Sequence, residues 1–294
     1  MEINTILQTL MFGILIGALY GLAALGLSLV FGVLKILNVA HGELLMIGGY
    51  TSFLAFDRLG VDPYASLLIV LPVLFIIGIA MHLGLFSRIV RFDEEDRIKN
   101  SLLIGFGLTL ILQQLATRAF TADERSITTN YSTTSWEFMD LRFPLVRFSG
   151  LFIGIVVVIA LQWFLHKTYW GKAIRATAED WRTAALAGID IRKMYLFTFA
   201  LGASLAGLAG MLVTLQGSVS PNIGLMWTLK ALIVVVLAGL GNMPGTFLAG
   251  ILLGLAESGS ALAFGGEYRE LVGIVIFLIV LSFRPQGLFG DSHV

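Results

Sequence analysis

Nine apolar runs, at roughly 6–34, 42–57, 64–85, 101–119, 150–166, 193–215, 227–241, 245–262 and 270–284, take up most of the 294 residues. A helix crossing a bilayer needs about 20 predominantly apolar residues, so runs of this length and number require a membrane to cover them. Composition agrees: 57% of the chain is hydrophobic, only 13% is charged, and the mean hydropathy is +0.90, more apolar than a soluble domain of this size can hide. Several runs are shorter than a full span, and polar residues interrupt others. The expected fold is therefore an all-α polytopic membrane protein, a single domain over 1–294 with about eight to ten transmembrane helices. The N-terminus, Met1-Glu2-Ile3-Asn4, lacks the basic region and cleavage site of a signal peptide, so the first run is expected to stay as a membrane helix.

Orientation follows from lysine and arginine, which collect in cytoplasmic loops near helix ends. The loop at about 167–192 holds the densest cluster, with Lys167, Lys172, Arg175, Arg182 and Arg192 beside Lys193, and is placed in the cytoplasm. Counting outward puts 86–100 in the cytoplasm and about 120–148 on the extracytoplasmic side. The first 34 residues carry no lysine or arginine. An outside N-terminus and an inside C-terminus then fit an odd number of crossings.

Formal net charge is zero and the basic residues form no block, so no nucleic-acid face is indicated. With no cysteine, disulfides, thiolate metal sites and cysteine nucleophiles are excluded. A phosphate loop, G-x-x-x-x-G-K-[ST], is missing: Gly171-Lys172 is followed by Ala173 and lacks the earlier glycine. The four histidines, His41, His82, His166 and His293, are scattered and form no H-E-x-x-H motif. Neither an ATP site, a metal site nor an enzyme is expected in this chain.

Two interruptions break the apolar pattern. Asn38-Val39-Ala40-His41-Gly42-Glu43 lies between Gly32 and Gly48-Gly49, and Gly239-Leu240-Gly241-Asn242-Met243-Pro244-Gly245 lies late in the chain. Asn, His and Glu are costly in hydrocarbon, so the first break should face protein or a water-filled path. Interrupted helices free backbone groups and helix N-termini to meet a substrate. Asn38, His41, Gly42, Glu43, Gly241 and Asn242 are therefore candidates for a translocation path, and the two breaks suggest an internal pseudo-repeat. His41 and Glu43, two apart, point to different faces of a helix, which disfavours a paired site. Polar residues inside other runs are Gln113, Gln114, His82 and Glu257; Gln113 joins the path candidates, although interhelical hydrogen bonds explain such residues equally well. Small residues at four-residue intervals, Gly13-Gly17-Gly21, Gly202-Ala206-Gly210 and Gly250-Gly254, suit close helix contact.

The stretch 171–190 is rich in alanine, charged, and too short to span. Arg175 and Glu179 are spaced for an i, i+4 pair, and Gly188-Ile189 forms a helix stop. A compact helix with a small surface suits either a groove in another protein or an amphipathic position at the membrane surface.

The run from Gly21-Leu22-Ala23-Ala24-Leu25-Gly26 through Phe31-Gly32 and Asn38–Glu43, with Met46, Gly48 and Tyr50, resembles the N-terminal signature of bacterial branched-chain amino-acid ABC-importer permeases. The resemblance continues through Gly171-Lys172-Ala173-Ile174-Arg175-Ala176, Gly239-Leu240-Gly241, Pro244-Gly245 and Arg284-Pro285-Gln286-Gly287-Leu288-Phe289-Gly290, so it covers nearly the whole chain. It implies an inner-membrane permease that pairs with a homologous second permease, two cytoplasmic ATPase subunits that bind the ATP, and an extracytoplasmic substrate-binding protein. It also implies that 172–190 includes a coupling helix, with Arg175, Ala178, Glu179, Asp180, Trp181, Ala184 and Gly188 as the contact residues. Related permeases carry branched-chain amino acids, urea or short amides. An ion-coupled secondary transporter is the rival reading, with Glu43 or Glu257 as its coupling carboxylate.

Overall fold

In a computed structural model, residues 3–132, 134–138 and 141–290 are described; His293 lies outside them. Twelve α-helical segments account for most of that chain: α1 (Ile3–Leu34), α2 (His41–Leu59), α3 (Leu67–Met81), α4 (Ser87–Ile89), α5 (Glu94–Phe120), α6 (Leu145–Lys167), α7 (Tyr169–Glu179), α8 (Trp181–Leu186), α9 (Ile191–Gln216), α10 (Ile223–Ala238), α11 (Met243–Phe264) and α12 (Arg269–Phe283). A π turn at His82–Phe86 joins α3 to α4, so Leu67–Ile89 forms one span. Six helices are long and apolar enough to cross a membrane: α1, α3 with α4, α5, α6, α9 and α11. With the shorter α2, α10 and α12, of 19, 16 and 15 residues, the helices fall on the nine apolar runs of the sequence.

Among the described residues, both faces of the bundle are identified by contacts. The Gln8 side chain donates to Arg142 O (2.8 Å) and accepts from Arg142 N (2.9 Å). That ties the start of α1 to a short hairpin, β1 (Ser135–Phe138) with β2 (Leu141–Pro144), inside what the sequence reading treated as a loop. At the opposite face lie α7 and α8, the end of α1 and the C-terminal segment. There Leu288 N and Phe289 N donate to the last carbonyls of α10, Leu237 O (2.7 Å) and Ala238 O (3.1 Å), groups that a helix end otherwise leaves unpaired. The chain thus begins at the hairpin face and ends at the α7–α8 face.

The core is built around α1 and α9, the two most enclosed spans. Lipid gives no hydrophobic drive for association, so close packing must hold them. Gly13, Gly17 and Gly21 on α1 lie against the backbone at Leu255, Gly250–Ile251 and Phe247 of α11. Thr246 Oγ1 donates to Ser28 Oγ (2.9 Å) across that interface. On α9, Gly202 meets Gly26 and Val30 of α1, and Gly210 meets Leu45 of α2. By contrast α5 and α6 are mostly exposed, with Leu103, Phe106, Ile111, Phe152 and Ile159 facing outward, as lipid-facing helices should.

Two returns within the bundle distinguish it from a simple array of spans. Lys35, in a left-handed conformation (φ 54°), ends α1, and residues 35–40 then run back into the bundle. Leu37 N donates to Ser101 Oγ (3.0 Å), Val39 lies beside Gly105, and His41 Nε2 donates to Ala23 O (2.9 Å). Ala23 is eleven residues before the end of α1, so α2 starts about 16 Å inside that end. The second return is residues 217–222, from the hairpin-face end of α9 to the start of α10. Its depth is marked by Asn222, which accepts from Gln113 Nε2 (2.6 Å). The two returns enter from opposite faces, each following a long helix and leading into a shorter one.

The sequence reading paired 38–43 with 239–245 instead. That second break is a surface turn: Gly239 and Gly241 have positive φ (95° and 91°), Asn242 Oδ1 caps α11 by accepting from Gly245 N (2.9 Å), and Pro244 fills the first turn.

Candidate translocation site and coupling helix

The first turns of α2 and α10 meet inside the bundle. Gly42 N donates to Thr228 Oγ1 (2.8 Å), and Thr228 Oγ1 donates to Val39 O (2.9 Å), which stitches the first return to α10. A methyl on Gly42 would run into Gly224 O, and one on Gly224 would run into the Glu43 carboxyl. Glycine at both positions is what lets the two backbones touch.

Asn38 organises the entry to α2. Its Oδ1 accepts from Ala40 N (3.1 Å) and its backbone carbonyl from His41 N (3.1 Å), which satisfies donors that a helix start leaves free. His41 and Glu43 are both buried and turn to different partners, as their spacing requires: His41 to α1, Glu43 to α10. Glu43 is 1% exposed, and its Oε2 has no hydrogen-bond partner among the described residues. No side chain caps α10 either. A buried carboxyl without a partner is costly, so its place at two helix N-termini is electrostatically significant: both dipoles present positive ends to it. Asn222, Leu225 and Met226 are exposed beside it.

Of the path candidates, Asn38, His41, Gly42, Glu43 and Gln113 therefore gather around this junction. Gly241 and Asn242 do not. Gly241 lies beside Gly32 at the α7–α8 face, and Asn242 Nδ2 donates to Phe289 O (2.6 Å) of the C-terminal segment. Sequence reasoning passed over Asn222, Gly224 and Thr228. Their signal was the turn-forming run Gly217-Ser218-Val219-Ser220-Pro221-Asn222, between the apolar runs at 193–215 and 227–241.

Glu257 belongs to a separate buried cluster. It accepts from Tyr20 OH (2.9 Å) and Arg269 Nε (3.3 Å) and pairs with Lys230 of α10. Lys230 was also missed, although a lysine inside an apolar run is itself a signal. Gln114 is exposed on α5, and His82 lies buried in the π turn against Phe199, ring centroids 5.7 Å apart.

At the opposite face α7 and α8 are two helices, not one. Asp180 separates them: its carboxylate caps α8 by accepting from Arg182 N (2.9 Å) and bonds Thr183 Oγ1. Hydrogen bonds from Thr183 and from the backbone of Arg182 hold the Asp180 carboxyl below its ordinary range. Arg175 and Glu179, both within α7, form no ion pair within 4 Å. Ala184 is buried and Ala178 half-buried, whereas Arg175, Glu179, Asp180, Trp181 and Gly188 face outward. Gly188 (φ 85°) ends α8 as the sequence predicts, and Leu186 is 90% exposed. Trp181 borders a cleft of about 1200 Å³ between α8 and the 90–97 segment.

Half-helices meeting within a bundle, beside an exposed amphipathic helix pair at one face, define the membrane-spanning subunit of a solute transporter. Residues 9–281 match the model of the family described as the permease component of the branched-chain amino acid transport system. The chain is 31% identical to the high-affinity branched-chain amino acid transport permease BraD of Pseudomonas aeruginosa, over 100% of this chain and 98% of that protein. It is 30% identical to LivH of Escherichia coli K12, over 98% and 96%. The ribose import permease RbsC of Haemophilus influenzae is more distant, at 26% identity over 74% of this chain and 70% of its own. No solved structure matches significantly. The chain belongs to the branched-chain amino acid transport permease family, and is a permease subunit of an ABC importer.

Proposed function

We propose that this subunit passes a branched-chain amino acid, or a similar small zwitterion, through the junction of α2 and α10. The observation that carries this reading is Glu43: a buried carboxyl lacking a partner, set where two helix N-termini converge. An ammonium group offsets the Glu43 charge, while the first-turn N–H groups of α10 favour a carboxylate beside it. One residue and one helix start thus match both ends of an amino-acid backbone. A sugar hydroxyl could hydrogen-bond Glu43 but would leave its charge unmatched.

The remaining parts follow from the family. Two ATPase subunits, which bind the ATP, grip α7–α8 through Trp181, Leu186 and the exposed charges around them. A homologous permease completes the pathway, and a substrate-binding protein delivers cargo at the hairpin face. In this reading the hairpin face is extracytoplasmic, α7–α8 is cytoplasmic, and the membrane is the inner membrane. ATP-driven motion of α7–α8 opens the Gly42–Gly224 contact to one side and then the other.

The test is ATP-dependent leucine uptake by the complete importer in proteoliposomes. Glu43→Gln keeps the shape and removes the charge. It is expected to lower uptake at least about tenfold, the loss of one charge-assisted hydrogen bond, with ATPase activity in the absence of substrate unchanged. Equal uptake by wild type and Glu43→Gln would refute the role of Glu43, and wild-type uptake that needs no ATP would refute the importer reading.

A further inference from the structure

We propose that a pocket among α1, α6, α11 and the start of α12 holds the phosphate of an anionic phospholipid. The cavity, about 250 Å³, is lined by the side chains of Arg147 and Arg269, by Thr9 and Ser258, and by Phe12 and Ile16. It has the parts of a phosphate site: two guanidiniums, the Ser258 hydroxyl and an apolar wall, the Thr9 hydroxyl being donated to Thr5 O (2.9 Å).

Charge is what demands an occupant. Arg147 has no carboxylate within 4 Å among the described residues, and its guanidinium stands 5.2 Å from the centre of the Phe12 ring. Arg269 must share Glu257 with Lys230. Lys230 and Arg269 thus share one carboxylate, and the exposed Arg147 on the same pocket has none, which leaves an excess of positive charge there. Such an excess favours an anion.

Placement identifies its source. Arg147 is the third residue of α6 and Arg269 the first of α12, so both stand at the membrane boundary on the hairpin face. Beside them the outer surfaces of α1 and α6 are apolar, with exposed Leu10, Ile14, Phe148 and Phe152. Acyl chains can lie there while the headgroup enters the pocket, which free phosphate does not exploit. The consequence reaches α10. An anion that engages Arg269 leaves Glu257 more fully to Lys230, and Lys230 stands in the helix whose first turn meets Glu43.

The experiment places the complete importer in nanodiscs of phosphatidylcholine, with or without phosphatidylglycerol, and reads the thermal midpoint together with lipid retained in native mass spectrometry. The wild type is expected to keep phosphatidylglycerol and to show a higher midpoint when it is present. Arg147→Gln should keep about tenfold less of it, near the lower bound for one charge-assisted contact, and Arg147→Lys should recover part. Phosphatidylcholine-only discs check that the variants are folded. Equal retention by wild type and Arg147→Gln overturns the proposal, as does a wild-type midpoint indifferent to phosphatidylglycerol. If inorganic phosphate stabilises delipidated wild type as well as the lipid does, the site takes a free anion and the lipid assignment fails.

Discussion

Gly42 and Gly224 meet with nothing between them but backbone, and a single methyl group ends that contact. Gly42→Ala forces α2 from α10 and breaks the Gly42 N to Thr228 Oγ1 bond, so overpacking of about 1–3 kcal/mol is expected, read as a lower thermal midpoint in detergent. Gly107 is the control. It sits on the same kind of helix with open space where a methyl would go, and Gly107→Ala should be neutral or stabilising by up to about 1 kcal/mol. If both variants behave alike, the junction is not tightly closed. Individual residues were only partly legible in the sequence. Glu43 and Asn38 announced themselves because polar groups in an apolar run need a reason, and Gln113 did so for the same cause. Gly224 carried no such sign: what makes it special is the carboxyl lying against it, supplied by residue 43 from far along the chain.

The paired helices α7 and α8 bury only Ala184 and the inner face of α7, leaving Trp181 and Leu186 in the open. Side chains exposed to that extent contribute little to the fold of a lone subunit. Trp181→Ala should leave detergent stability intact, and it or removal of 176–187 should leave membrane insertion intact while ATP hydrolysis no longer responds to substrate; unchanged uptake after the deletion would exclude coupling through these helices. Asp180 holds the break between them. Its carboxyl titrates below the usual aspartate range, so the charged cap is fully present at and above that range and is lost only as the pH falls through the lowered value. Transport measured from about pH 5 to 8 should show no titration from this source, and Asp180→Asn, which keeps the capping oxygen, should behave as wild type there. As elements, most helices were readable from hydropathy to within a few residues, but α5 and α6 begin at Glu94 and Leu145, well before the runs at 101–119 and 150–166, because charged or mixed residues open them. The return at 217–222 was not, because Gly, Ser, Pro and Asn look the same in a surface turn and in one sunk into the bundle. Depth is set by partners on α5 and α2, and those are tertiary facts. The reverse error occurred at 239–245, where similar residues make a turn at the surface.

Over the whole molecule, the proposed sidedness rests on the distribution of basic residues, and the described chain begins and ends on opposite faces of the bundle. Because the sequence contains no cysteine, that arrangement can be tested without background: Asn130→Cys beside the hairpin should react with a membrane-impermeant maleimide in intact cells, and Ala185→Cys on α8 only after permeabilisation. The reverse pattern would invert the assigned sidedness. The glycine seam between α1 and α11 bears on how such a molecule is made. Helix α1, made well before α11, matches its longest seam to a segment more than 200 residues downstream. Until that segment is synthesised, the notches at Gly13, Gly17 and Gly21 have only lipid to fill them. The nascent chain must therefore wait, threaded but unassembled, through most of translation, and a ribosome that stalls before residue 243 leaves behind an open-sided intermediate for quality-control proteases to find.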